Sequence, residues 1–218
     1  MTAASSPLDA VPVRWWPAAG GAGDGVPGGA GSRRLVANFD AGDDAVVLGV
    51  QGQAERELAR GAIRDAIAAE LASLSGLAPA QVALYTPAGQ VPWAELGYPA
   101  GPRRAWLAIS HDGVLSVAAI SLRGPVGIDV SCIVDIPDWE AVARDYLGPD
   151  VTARLAALAP DARPAAFARA WSEREARLKY LGRELVEWSL EGDRELSACR
   201  CLPLALPEGY AGVLALPP

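Results

Sequence analysis

Apolar residues recur at helical spacing in two long stretches of the chain. Over 53–74, Leu58, Ile63, Ile67, Leu71 and Leu74 mark one face of an alanine-rich segment, and Gly76 is placed to end the helix. Over 165–185, AAFARAWSEREARLKYLGREL, the positions Phe167, Ala170, Trp171, Leu178 and Leu181 predict a second helix with a buried face. Short apolar segments bounded by Gly, Pro and Asp read as strands. A short piece is expected in VPVRWW, and RRLVANF and DAVVLGV, separated by 40–43, predict a hairpin. Further strands are expected at 81–85, 105–109, 126–130, 196–202 and 211–216, and in VLSVAAISL after Gly113. The Pro- and Gly-rich segment 87–102 reads as a loop, and two short helices are expected at 138–147 and 150–159.

This order predicts an α+β fold with two halves of similar size, 1–124 and 125–218, meeting near Gly124. Residues 1–32 are expected to be partly flexible, because AAGGAGDGVPGGAG has the composition of a linker. No strand leads straight into it and no Lys-Ser/Thr follows, so it does not read as a phosphate loop.

Composition narrows the possible functions. A chain of 218 residues is long enough for a substantial core. Its formal charge of −7 argues against non-specific nucleic-acid binding, which needs a basic surface. No apolar run approaches the length of a membrane span. The start MTAASSPLDAVPV lacks a basic region followed by a long apolar core, so no secretion signal is expected. Cys132, Cys199 and Cys201 show no CxxC spacing, which disfavours a disulfide framework and a zinc site. A cytoplasmic location is expected.

Against that background a few polar residues stand out. Asp129 closes the apolar run PVGIDV, where a carboxylate is costly to bury unpaired. Glu175 and Lys179 are four apart on the second helix, a spacing that suits either a local salt bridge or a shared site. His111, the single histidine, follows an apolar strand in Ser110-His111-Asp112-Gly113. It fits a structural hydrogen bond as well as a phosphate contact, and no GxSxG elbow supports a catalytic triad. Arg56, Arg60 and Arg64 recur at steps of four and could be a solvated face paired with Glu57 and Asp65.

Taken in order, Ile109-Ser110-His111-Asp112-Gly113, then Val126-Gly127-Ile128-Asp129-Val130, then Trp171-Ser172-Glu173-Arg174-Glu175-Ala176-Arg177-Leu178-Lys179 resemble a 4'-phosphopantetheinyl transferase. The resemblance is to the larger, two-lobed type named after the surfactin enzyme. It runs from about residue 55 to the end of the chain, with weaker agreement at 59–64 and in LPEGYAGVLAL.

The resemblance implies a pseudo-dimer of two similar lobes, acting as a monomer, with coenzyme A in the cleft between them. It implies transfer of phosphopantetheine to a serine of an acyl or peptidyl carrier protein, with release of 3',5'-ADP. Such carriers serve fatty-acid, polyketide or nonribosomal-peptide assembly. By matching position, Asp129 and Glu175 would hold Mg²⁺, and Glu175 could also accept the serine proton. Lys179 would stabilise a pyrophosphate oxygen, while Arg60, Ser110 and His111 would contact the coenzyme A nucleotide.

Several positions depart from the family pattern. Many relatives carry an acid where this chain has Ser131, a lysine where it has Arg174, and a Gly-Lys-Pro loop where it has Gly89-Gln90-Val91-Pro92. These departures also fit a diverged homologue with another biosynthetic reaction or a non-catalytic carrier-docking role.

Overall fold

The computed structural model describes residues 10–16, 45–52, 54–87 and 89–218. Among them, six strands make one sheet and four make another. The six-stranded sheet runs β2 (Arg14–Trp16), β3 (Val46–Gln51), β7 (Leu115–Ser121), β6 (Gly101–Asp112), β5 (Trp93–Tyr98), β4 (Val82–Tyr85). All its pairings are antiparallel except β2 on β3. The four-stranded sheet runs β1 (Val11–Pro12), β9 (Arg200–Ala205), β10 (Tyr210–Leu216), β8 (Gly127–Cys132). The VPVRWW piece therefore divides between the two sheets, β1 joining one and β2 the other.

Helix α1 (Arg56–Ser75) covers one face of the larger sheet, burying Ile63, Ala66, Ile67 and Leu71 against Leu48, Leu96, Leu107 and Ile120. Each such side chain contributes roughly 1.5–3 kcal/mol of transfer free energy. The helix ends where expected, at Gly76 with φ 66°. Leu58 does not share the buried face; it is exposed.

The other face of that sheet packs on the smaller one, joining Ala108, Leu115, Val117 and Ala119 to Ile128, Val130, Leu204 and Leu214. Because strand side chains alternate, Ile128 and Val130 face this shared core while Gly127, Asp129 and Ser131 face the opposite way. On that side lies the long helix, α4 (Arg163–Leu181), whose Ala176 packs with Val213 and Ala215. At Gly127 the helix backbone comes so close that an added Cβ would lie 2.6 Å from the Tyr180 amide nitrogen.

Short helices α2 (Trp139–Val142), α3 (Pro149–Ala156) and α5 (Leu190–Leu196) flank α4, with one wide π turn at Ala143–Leu147. None of the described helices is long and apolar enough to cross a membrane.

The architecture is mixed α and β, as expected, with some corrections. The RRLVANF half of the expected hairpin and the glycine-rich linker lie outside the described residues, and β3 pairs with β2 and β7. The loop expected at 87–102 contains β5, whose Ala94 and Leu96 are buried in alternation beneath a Pro- and Gly-rich composition. The long helix stops at Gly182, φ 65°, short of the expected 185, and α5 was not anticipated.

Candidate active site

Strand β8 forms the edge of its sheet, so alternate backbone amides need partners from elsewhere. Strand β6 supplies them through side chains. Ser110 Oγ accepts from the Val130 amide at 3.3 Å, and Asp112 Oδ2 accepts from the Cys132 amide at 2.6 Å. Ser110 Oγ in turn donates to Asp129 Oδ1 at 2.7 Å. The SHDG and GID motifs, separate in sequence, are thus one hydrogen-bonded unit across the junction of the two sheets. Sequence reasoning gave Asp112 no role, because its partner is a backbone amide twenty residues on.

Helix α4 completes the unit from the other side. Lys179 Nζ lies 2.6 Å from Asp129 Oδ1 and 3.1 Å from Ser110 Oγ. Asp129 is buried at 5% exposure, so this is a partly buried ion pair. The local Glu175–Lys179 bridge considered from sequence is not formed; the lysine goes to Asp129 instead. Ser172, fully buried, donates to Ser131 Oγ at 2.9 Å, and Ser131 Oγ reaches Asp129 Oδ2 at 3.4 Å. This serine pair was not anticipated as part of the site.

Glu175 is half-buried and makes no hydrogen bond or ion pair among the described residues. Burial holds its carboxyl above the ordinary glutamate range, with Lys179 opposing the shift, the Asp129 carboxylate adding to it and Arg174 opposing it. A carboxylate kept short of partners next to a second one is a place for a cation or a proton. Among the described residues no group of three or more His, Cys, Asp or Glu could hold a metal ion. The acidic donors here are two, with hydroxyls beside them.

These side chains line a cleft of about 640 Å³ bounded by Arg56, Arg60, His111, Asp112, Trp171, Glu175 and Lys179. The cleft gathers every site residue expected from the sequence: Arg60, Ser110, His111, Asp129, Glu175 and Lys179. His111 Nδ1 sits 2.9 Å from Ser116 Oγ, so the ring has a structural partner while lining the cleft. Arg60 is also both things at once, paired with Glu57 at 2.6 Å and half exposed on the cleft wall. A further cavity of about 420 Å³ adjoins at Arg60 and Ile109, walled by Arg64, Thr86, Gly89, Gln90 and Pro92. Arg174 points away from the cleft, buried, with Nη2 donating to the Val186 carbonyl at 3.0 Å.

The arrangement offers cationic walls, two carboxylates and an ordered lysine in one groove, which suits an anionic phosphate-bearing substrate. Comparison with known proteins points the same way. A 4'-phosphopantetheinyl transferase from Salmonella typhimurium, AcpT, is 28% identical over 128 residues, 56% of this chain and 67% of that protein. A Synechocystis protein provisionally named a 4'-phosphopantetheinyl transferase is 26% identical over 81 residues, 37% of this chain. The chain spans 33% of the length of that Synechocystis relative. These matches support a transferase enzyme. Residues 125–204, which carry Asp129, Ser131, Ser172, Glu175 and Lys179, match the model of the 4'-phosphopantetheinyl transferase superfamily.

Proposed function

We propose that this protein transfers 4'-phosphopantetheine from coenzyme A to a serine of an acyl or peptidyl carrier protein. The observation that carries this reading is the pairing of Glu175, a half-buried carboxylate without a hydrogen-bond partner, with the Asp129–Lys179 ion pair inside an arginine-walled cleft. In the reaction the serine oxygen forms a bond to the phosphorus that bears pantetheine. The bond from that phosphorus to the bridging oxygen breaks, and 3',5'-ADP leaves with the electron pair.

Arg60 and His111 suit the nucleotide phosphates, with Arg56 and Arg64 on the same wall system. Ser110 and Lys179 suit a pyrophosphate oxygen, Lys179 acting as a point charge on a flexible stem. Glu175, its carboxyl raised by burial, is placed to take the proton from the serine or from a water between them.

The residues also fit Mg²⁺. Asp129 and Glu175 are hard oxygen donors, and this ion is commonly bound through one or two carboxylates with waters and substrate phosphates completing the octahedron. Bound there, it would neutralise charge on the phosphates and on the departing 3',5'-ADP. Ser131 removes the third carboxylate that many relatives have, leaving that position to a hydroxyl and water.

The resemblance to the two-lobed surfactin-type enzymes is supported by a long helix on each sheet, α1 and α4, with the cleft between. On this reading, 1–124 and 125–218 are the two lobes of a pseudo-dimer that acts as a cytoplasmic monomer in fatty-acid, polyketide or nonribosomal-peptide assembly. The test is to incubate the protein with several apo carrier proteins, coenzyme A and Mg²⁺, then weigh the carriers. A gain of one phosphopantetheine that disappears with Glu175→Ala is expected. No gain on any carrier, or one that survives Glu175→Ala, refutes the assignment.

A further inference from the structure

A cavity of about 270 Å³ opens off the cleft and is not used by the chemistry described above. It shares Asp112, Ser131 and Trp171 with the cleft, and beyond them it is lined by Cys132, Val134, Ile136, Val142, Phe167 and Ala168. No Lys or Arg takes part in its wall. The arginine-walled cavity, by contrast, joins the cleft at Arg60 and Ile109, and the two side cavities share no residue. The cleft carrying Asp129, Glu175 and Lys179 connects them. Polarity therefore falls along one continuous groove, from Arg64 and Arg60 through the ion pair to an apolar end.

The proposed substrate has the same gradient: an anionic nucleotide, a diphosphate, then an uncharged arm that ends in a thiol or thioester. Resting on that reading of the function, we propose that the apolar cavity takes the thiol-bearing end of the arm and limits the size of the acyl group it can carry. The floor is made by Phe167 and Ala168, at 5% and 4% exposure. Phe167 belongs to a packed cluster with Ala143, Leu147 and Leu155, so the floor cannot recede without opening a void there. Sites for whole drug-sized ligands occupy about 300–1,000 Å³, so this space suits a terminal segment only. Val134, 56% exposed, stands at the mouth.

Calorimetric titration with 3',5'-ADP, coenzyme A, acetyl-coenzyme A and decanoyl-coenzyme A, on the full chain and on Val134→Trp, tests this. Val134 is exposed in a loop, and an unchanged melting temperature will show that the variant is folded. In the unmodified protein, coenzyme A and its acetyl thioester should bind at least tenfold more tightly than 3',5'-ADP, and the decanoyl thioester should lose that advantage. Val134→Trp should bring coenzyme A down to the 3',5'-ADP level while 3',5'-ADP stays within twofold. Equal binding of coenzyme A and 3',5'-ADP, undiminished binding of the decanoyl thioester, or an unaffected Val134→Trp overturns the cavity assignment alone. Failure of 3',5'-ADP itself to bind overturns the transferase reading and this inference with it. Weakened capture of an apo carrier by Val134→Trp, with coenzyme A binding unchanged, would assign the cavity to a carrier side chain and likewise overturn it.

Discussion

Replacing Gly127 with alanine is the most searching test of how the site is held together. A Cβ at this position would meet helix α4 backbone: the Ala176 carbonyl carbon at 3.0 Å, the Tyr180 amide nitrogen at 2.6 Å, and the Ala176 oxygen nearer still. Ordinary contact begins near 3.4 Å, and neither partner is a side chain that can swing aside. Helix and strand must therefore part by roughly 1 Å at this point, an overpacking that costs about 3 kcal/mol, the upper end of the usual range. For a chain of this length that corresponds to a fall in Tm of about 6–12 °C. The functional loss should be larger than the stability loss implies. Asp129 is two residues along the strand and Lys179 is next to Tyr180, so separation there stretches the 2.6 Å ion pair directly. A misplacement of ~1 Å in a catalytic constellation can cost on the order of 100-fold in rate. Scanning calorimetry and the carrier mass assay read the two effects. Gly61→Ala is the control: Gly61 lies on the exposed side of α1 with no atom within 4 Å of an added Cβ, so it should gain about 0.5–1 kcal/mol. A fall of less than ~3 °C for Gly127→Ala, or an undiminished rate, would refute the idea that this glycine sets the spacing of β8 and α4.

Two further outcomes follow from the charges in the cleft. Because the fold raises the Glu175 carboxyl chiefly by burial, its contribution to stability is fully present below the unfolded glutamate pKa and is lost as pH rises through the raised native value. Glu175→Gln should therefore melt above the unmodified protein at neutral pH, in chelator, with the difference shrinking toward pH ~4; a lower Tm at neutral pH would contradict this. Lys179→Met leaves the Asp129 carboxylate buried without its cation and should cost about 2–3 kcal/mol by urea denaturation, less than for a fully buried pair because the Lys179 side chain is 29% exposed. Adding Asp129→Asn should recover part of that loss, and strictly additive effects would mean that the pair contributes no coupling.

How much of this was legible in the sequence depended on whether an interaction is local. Helices α1 and α4 follow from their apolar spacing and terminal glycines, and the arginine face of α1 from steps of four. Asp129 was legible because a carboxylate in an apolar strand must be accounted for. Its partner was not. Sequence spacing offers Lys179 a neighbour in Glu175, worth a few tenths of a kcal/mol on an exposed helix, yet the fold presents a buried carboxylate fifty residues away, with the Ser110 hydroxyl beside it. The serine pair and Asp112 were hidden for the same reason, since which amides of an edge strand need side-chain partners is decided only when the sheets meet. Strand β5 was masked by composition, its two buried residues outweighed by the prolines and glycines around it. Helix α5 is too short for periodicity to show; the Ser189 side chain capping the Gly192 amide is its main local signal.

The two oxygens of Asp129 are not equivalent, and that difference bears on the missing third acid. Oδ1 is engaged twice, by Ser110 at 2.7 Å and Lys179 at 2.6 Å, whereas Oδ2 has only the long 3.4 Å contact from Ser131. Ser131 is itself held by Ser172, which orients its hydroxyl without adding charge. With Lys179 set against Asp129 and Glu175, these three side chains sum to one negative charge, where an acid at 131 would make it two. A groove meant for a diphosphate gains from the smaller repulsion, and loses grip on a free cation for the same reason. On this account Oδ2 of Asp129 and the carboxylate of Glu175 are the oxygens left for Mg²⁺, and the phosphates of the substrate must supply much of the remaining hold.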